Sequence, residues 1–155
     1  MKIKIFRRDE SIPLPERKSE QAAGFDIHAA ETVELQSGQV CLVDTGLIIQ
    51  APESHHIKLF IRSGFAVKNN VSLVNDTGII DADYCGETDF IKIALIRHRS
   101  GIGHLDNRKI TIEKGERIAQ LIFEKNSIET VEWDIQSAAD FNGTSRGGFG
   151  STGTH

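Results

Sequence analysis

Apolar and polar residues alternate along most of this chain. The stretches KIKIF (2–6), TVEL (32–35), HIKLFI (56–61), FIKIALI (90–96), KITIE (109–113) and IAQLIFE (118–124) repeat with a period of two. Successive residues of a strand point to opposite faces, so this spacing predicts half-buried β-strands. QVCLVDTGLIIQ (39–50) reads as one or two more, with Asp44-Thr45-Gly46 as a turn. SLVNDTGII (72–80) reads as a hairpin around Asn75-Asp76-Thr77-Gly78. Only GFAVKNN (64–70) suits a brief helix. The connections are short and carry Gly, Asn and Asp. The prediction is an all-β barrel or sandwich over residues 1–133. From about residue 134 the alternation stops and small residues dominate, which predicts a mobile C-terminal arm over 134–155.

Composition narrows the function classes. With 155 residues, 39% of them hydrophobic, the chain is long enough for one domain with a real core. The net charge is −4 and Lys and Arg are scattered, so a nucleic-acid-binding face is not expected. The opening MKIKIFRRDE has no apolar core of a signal peptide. No apolar run approaches the roughly 20 residues of a membrane helix, so no membrane partner is expected. Cys41 and Cys85 form no C-x-x-C pair, and the expected setting is reducing and cytoplasmic.

Several stretches carry chemistry. GFGSTG (148–153) satisfies G-x-G-x-x-G and also the start of a P-loop. Either reading places phosphates at the start of a helix, and Thr154 and His155 supply none. In GIIDADYCGE (78–87), period two puts Asp81 and Asp83 on one face and Tyr84 on the other. A carboxylate there is placed to activate a water as general base, and it reads equally as a turn former. In AAGFDIHAA (22–30) small residues allow close backbone approach around Asp26, a structural carboxylate or a metal ligand. In IRSGFAVKN (61–69) Ser63 reads as an N-cap, and the same turn with Arg62 and Gly64 suits an anion. In KGERIAQLIF (114–123) Gln120 is the odd polar residue, on an outward strand position.

Each stretch is ordinary alone, and their order is not. AAGFDIHAA, IRSGFAVKN, NDTGIIDADYCGE, GERIAQLIF and GGFGSTG, in that sequence, resemble the five ordered motifs of the trimeric dUTPase family. The resemblance runs from about residue 22 to 153. It implies a jelly-roll-like fold with one short helix, and a homotrimer with active sites shared between subunits. It also implies Mg²⁺-dependent hydrolysis of dUTP to dUMP and pyrophosphate. In that pattern Asp81 matches the water-activating carboxylate and Tyr84 the aromatic against the deoxyribose. Asn75, with the backbone of Gly78, Ile79 and Ile80, matches the uracil reader. Arg62, Ser63, Gly64 and Gln120 match phosphate contacts, and Asp26 a carboxylate near the metal through water. In the arm, Phe149 matches a ring that stacks on uracil, while Gly150, Ser151 and Thr152 wrap the γ-phosphate. Mg²⁺ is held chiefly by the triphosphate and waters.

The departures are local. The family's arm Arg falls five residues before the Phe, where this chain has Thr144, and Arg146 lies three before it. Arg146 is therefore the candidate for that contact. Cys85 stands where an Arg is common, and the stretch 97–109 is longer than the usual loop. The alternatives are a dCTP deaminase-type relative, or a nucleotide-sensing or protein-binding module on the same scaffold.

Overall fold

The alternating stretches become strands, and nearly all of them pair across the sequence rather than with their neighbours. The structure is a computed structural model that describes residues 1–99, 109–126 and 131–141. Its strands are β1 (Lys4–Arg7), β2 (Phe25–His28), β3 (Val33–Gln36), β4 (Val40–Asp44), β5 (Leu47–Gln50), β6 (His55–Ile61), β7 (Val71–Leu73), β8 (Gly78–Ile80), β9 (Lys92–Arg97), β10 (Lys109–Ile112) and β11 (Arg117–Lys125). The helix α1 (Ser63–Asn69) lies between β6 and β7. A four-stranded sheet runs β2-β11-β6-β8 and a three-stranded one β4-β9-β7, with β1-β5 and β10-β3 as pairs. These sheets pack as a sandwich, and the predicted all-β class with one short helix is the observed one.

The inward-facing positions close the core. Ile27, Leu35, Val43, Ile57, Leu95, Ile112, Ile118 and Ala119 are fully buried and come from three of the four sheets, and Leu47 and Ile49 of β5 add the fourth. Burying such an aliphatic side chain stabilises the fold by about 1.5–3 kcal/mol, so the alternation is itself the main folding instruction. The turn at Thr45-Gly46 forms as read. Gly46 has φ 64°, and a Cβ there would run into Ile12 and Ala30, so only glycine fits. It sends the chain from one sheet to another, because β4 pairs with β9 whereas β5 pairs with β1.

Two expectations need correction. The 72–80 stretch is not a paired hairpin: β7 pairs with β9, and β8 pairs with β6. The reversal at Asn75-Asp76, where Asp76 has φ 57°, therefore carries the chain between sheets. Residues 25–28 form β2 against β11, within the 22–30 stretch where small residues allow close approach. Ser63 is not the N-cap. The helix begins at Ser63 itself, Arg62 occupies the capping position, and no side chain caps it. Of the predicted arm, residues 134–141 are exposed, with one 3-10 turn at Ala138–Asp140. Residues 142–155 lie outside the described residues, as does most of the 97–109 stretch. Among the described residues, no helix is long and apolar enough to cross a membrane.

Candidate active site

One face of the four-stranded sheet gathers the polar residues that the pattern would leave facing solvent. Across β2, β11 and β6, Gln120 sits opposite both Asp26 and Phe60, Ile122 opposite Lys58, and Glu124 opposite His56. On the next strand Lys58 faces Ile79. The other face holds Ile27, Ala119, Leu121, Ile57 and Leu59, which are buried. Strand alternation thus delivers Asp26, Gln120, Lys58, His56 and Glu124 to a single surface.

At one end of this face lies an arginine cluster. Asp26 is 8% exposed, and each of its carboxylate oxygens holds a guanidinium. Arg62 Nε lies 3.1 Å from Oδ1, and Arg117 Nη1 lies 3.0 Å from Oδ2. Arg62 Nη1 also donates to the Arg117 carbonyl at 3.2 Å. Beside them opens a cleft of about 290 Å³ lined by Arg62, Gly64, Phe65, Lys68, Asn69, Glu116 and Arg117. A Cβ on Gly64 would meet nothing within 4 Å, and Ser63 is exposed, so the turn presents its hydroxyl and backbone to the open side. Gly24 packs close against Gln120: a Cβ there would come within 3.1 Å of Gln120 Oε1 and 3.2 Å of the Leu121 carbonyl, a fit to which these neighbours would have to give way. His28, opposite Arg117 in the register, is buried, and that burial pushes its imidazole below the ordinary histidine value. Among the described residues its Nδ1 has no hydrogen-bond partner.

At the other end lies Asp81. The ladder stops at Ile80, which pairs with Ile57, and Asp81 follows it into a turn. The Tyr84 amide donates to the Asp81 carbonyl at 3.2 Å and the Cys85 amide to the Asp83 carbonyl at 2.9 Å. The expected alternation of Asp81, Asp83 and Tyr84 across a strand therefore ends at Ile80, because the chain there turns back on itself. Asp81 is exposed and shares a cleft of about 370 Å³ with His55, His56, Ile79, Ala82, Glu124, Lys125 and Asn126. Tyr84 is 43% exposed, with its hydroxyl 3.5 Å from the Phe90 carbonyl. Among the described residues β8 is the last strand of its sheet, and the side of Gly78–Ile80 away from β6 has no strand partner. Asn75 is exposed at the reversal just before it.

The strand register fixes the distance between the two ends. Arg62 lies five residues beyond Ile57, the partner of Ile80. At about 3.3 Å per residue, Asp81 and Arg62 are roughly 15–20 Å apart on one chain. The sequence reading found Arg62, Ser63, Gly64, Gln120 and Asp26 at one end and Asn75, Gly78, Ile79, Ile80, Asp81 and Tyr84 at the other. It passed over Arg117, His56 and Glu124. For His56 and Glu124 the signal was there, as polar residues on the sheet face that carries Gln120, whereas Arg117 lies beyond a register shift between Arg117 and Ala119 that period two does not foretell. Arg146, Phe149, Gly150, Ser151 and Thr152 lie outside the described residues. Among the described residues, no group of three or more His, Cys, Asp or Glu is arranged to hold a metal ion.

Comparison with known proteins gives this geometry a family. The dUTPase family model matches residues 10–153. A deoxyuridine 5'-triphosphate nucleotidohydrolase of Rickettsia prowazekii is 42% identical over 142 residues, covering 90% of this chain and 88% of the relative. One from Nautilia profundicola is 36% identical, covering 99% of each. A solved dUTPase of Staphylococcus bacteriophage 80alpha, bound to dUpNHpp, superposes with a TM-score of 0.75 at 27% identity, covering 99% of both chains. The motif order, the sandwich and these likenesses agree, and the chain belongs to the dUTPase family.

Proposed function

We propose that the protein hydrolyses dUTP to dUMP and pyrophosphate in a homotrimer, with each site assembled from the arginine end of one subunit and the aspartate end of another. The observation that carries the shared site is the separation of Asp81 from Arg62. A base that must reach the α-phosphorus cannot stand roughly 15–20 Å from the group that grips the same triphosphate. A second copy brings the two ends together.

In the assembled site Asp81 takes a proton from a water that attacks the α-phosphorus, in line with the departing pyrophosphate. Arg62, Ser63, Gly64 and Gln120 bind the phosphate chain and keep that line. Asn75 and the free edge of Gly78, Ile79 and Ile80 pair with the uracil edge. Cytosine presents a donor where uracil presents an acceptor, which would leave buried groups unpaired, a large penalty. Tyr84 lies against the deoxyribose and fills the space a 2′-hydroxyl would need. From the arm, Phe149 stacks on the base, while Arg146, Gly150, Ser151 and Thr152 close over the γ-phosphate.

The residues fit a Mg²⁺ ion that arrives on the triphosphate. Both oxygens of Asp26 already hold guanidinium groups, so Asp26 meets such an ion only through water. When bound, Mg²⁺ neutralises charge on the leaving pyrophosphate. The test is pyrophosphate release from dUTP, dTTP, dCTP and UTP. The native chain should prefer dUTP by orders of magnitude, and Asp81→Asn should bind dUTP yet lose turnover. Equal turnover of the four nucleotides, or an active Asp81→Asn, would defeat the reading.

A further inference from the structure

We propose that Arg117 is a second phosphate-binding arginine, and that Asp26 is a positioning residue holding Arg117 and Arg62 side by side for a di- or triphosphate. The inference rests on the reading of the arginine end as the phosphate half of the site, and it assigns two roles within it.

The geometry comes first. Asp26 is 8% exposed, and its two oxygens are divided between two side chains rather than chelating one, at 3.1 Å to Arg62 Nε and 3.0 Å to Arg117 Nη1. Such a carboxylate leaves the trio with one net positive charge. It also fixes the planes of both guanidinium forks. Arg62 spends Nε on Asp26 and Nη1 on the Arg117 carbonyl. Arg117 spends only Nη1. Among the described residues, Nη2 of both arginines and Nε of Arg117 have no partner, and both side chains line the same cleft.

The surroundings point the same way. The cleft wall adds Lys68 as a third cation against one carboxylate, Glu116. Gly64 leaves its floor open. Two guanidinium groups and an ammonium around a cleft of about 290 Å³ match an anion with several adjacent charges. A single phosphate needs no such array. A carboxylate already committed to two arginines is also a poor metal ligand, because binding a metal would strip its partners. Its contribution is therefore made before any metal arrives.

The experiment is metal-free binding, by calorimetry in chelator, of dUMP, dUDP and the analogue dUpNHpp to the full chain. Variants are Arg117→Met, Arg117→Lys and Asp26→Asn, each checked for native melting and assembly. Arg117→Met should weaken dUDP and dUpNHpp by about tenfold or more while moving dUMP less than about twofold. Arg117→Lys should recover only part of this, since an ammonium lacks the fork. Asp26→Asn should reproduce the Arg117→Met pattern without metal. Unchanged dUDP affinity in Arg117→Met, or equal losses for dUMP and dUDP, would overturn the assignment of Arg117. Native metal-free affinity in Asp26→Asn would overturn that of Asp26. A native chain that binds none of the three ligands without metal would overturn both assignments, whereas the function reading falls only if pyrophosphate release from dUTP with Mg²⁺ fails.

Discussion

The two ends of the polar sheet face are built in opposite ways. The arginine end is half-buried and ion-paired, with Asp26 bridging Arg62 and Arg117 and bare glycine backbone at Gly24 and Gly64. The aspartate end is an exposed turn beyond the last ladder pair of an edge strand, and among the described residues Asp81 makes no ion pair there. The difference follows from the chemistry each must do. Gripping several negative charges rewards cations fixed in advance, since ordering them on binding costs affinity. A general base needs an open approach for water, and a partner that pinned its oxygens would remove its function.

The largest effect should come from joining the two ends across chains. Asp81→Asn and Arg62→Ala subunits should each be nearly inactive alone. Unfolded and refolded together in equal amounts, they should regain about a quarter of native turnover, because a shared site is intact only when each chain supplies its good end. No recovery would place both groups on one chain. Next, Tyr84→Ala should leave dUTP hydrolysis measurable but narrow the preference over UTP by about tenfold or more, read as the ratio of kcat/KM values. An unchanged ratio would remove Tyr84 from sugar selection.

The smallest effect concerns what supports the aspartate end. Arg8 pairs with Asp44 at 2.5 Å and lies 4.3 Å over the Phe90 ring, whose residue accepts the Tyr84 hydroxyl. Burial pushes the Asp44 carboxyl up, but Arg8 and the Gly46 amide outweigh it and hold it below its ordinary value of 3.8. A carboxyl lowered by folding adds stability above its unfolded value and loses it as pH falls through the folded one. Arg8→Gln should therefore cost up to about 1 kcal/mol at pH 7, and the difference should vanish in strong acid. Urea unfolding at the two pH values measures it, and a penalty that persisted in acid would point to the ring contact alone.

The strands were legible because their core faces repeat every second residue, as in β6, β9 and β11. β2 was not, since its four residues sit among Ala and Gly and include two buried polar residues, Asp26 and His28, that break the apolar alternation. The reversal at Asn75-Asp76 was visible as a turn, but a turn signal says nothing about which sheet each arm joins. The motif order exposed Asp81, Arg62 and Gln120. The pairing of Asp26 with Arg117 was hidden, because the two are 91 residues apart and meet only through the β2–β11 register.

The polarity of that sheet face also limits how copies can assemble. Contacts that press one end of a subunit against the other end of its neighbour close either as a reciprocal twofold pair or as a head-to-tail ring, and the threefold assembly proposed above is of the second kind. Such contacts propagate in one rotational sense until they close on themselves, and a closed ring of three leaves no unmatched end and every pocket complete.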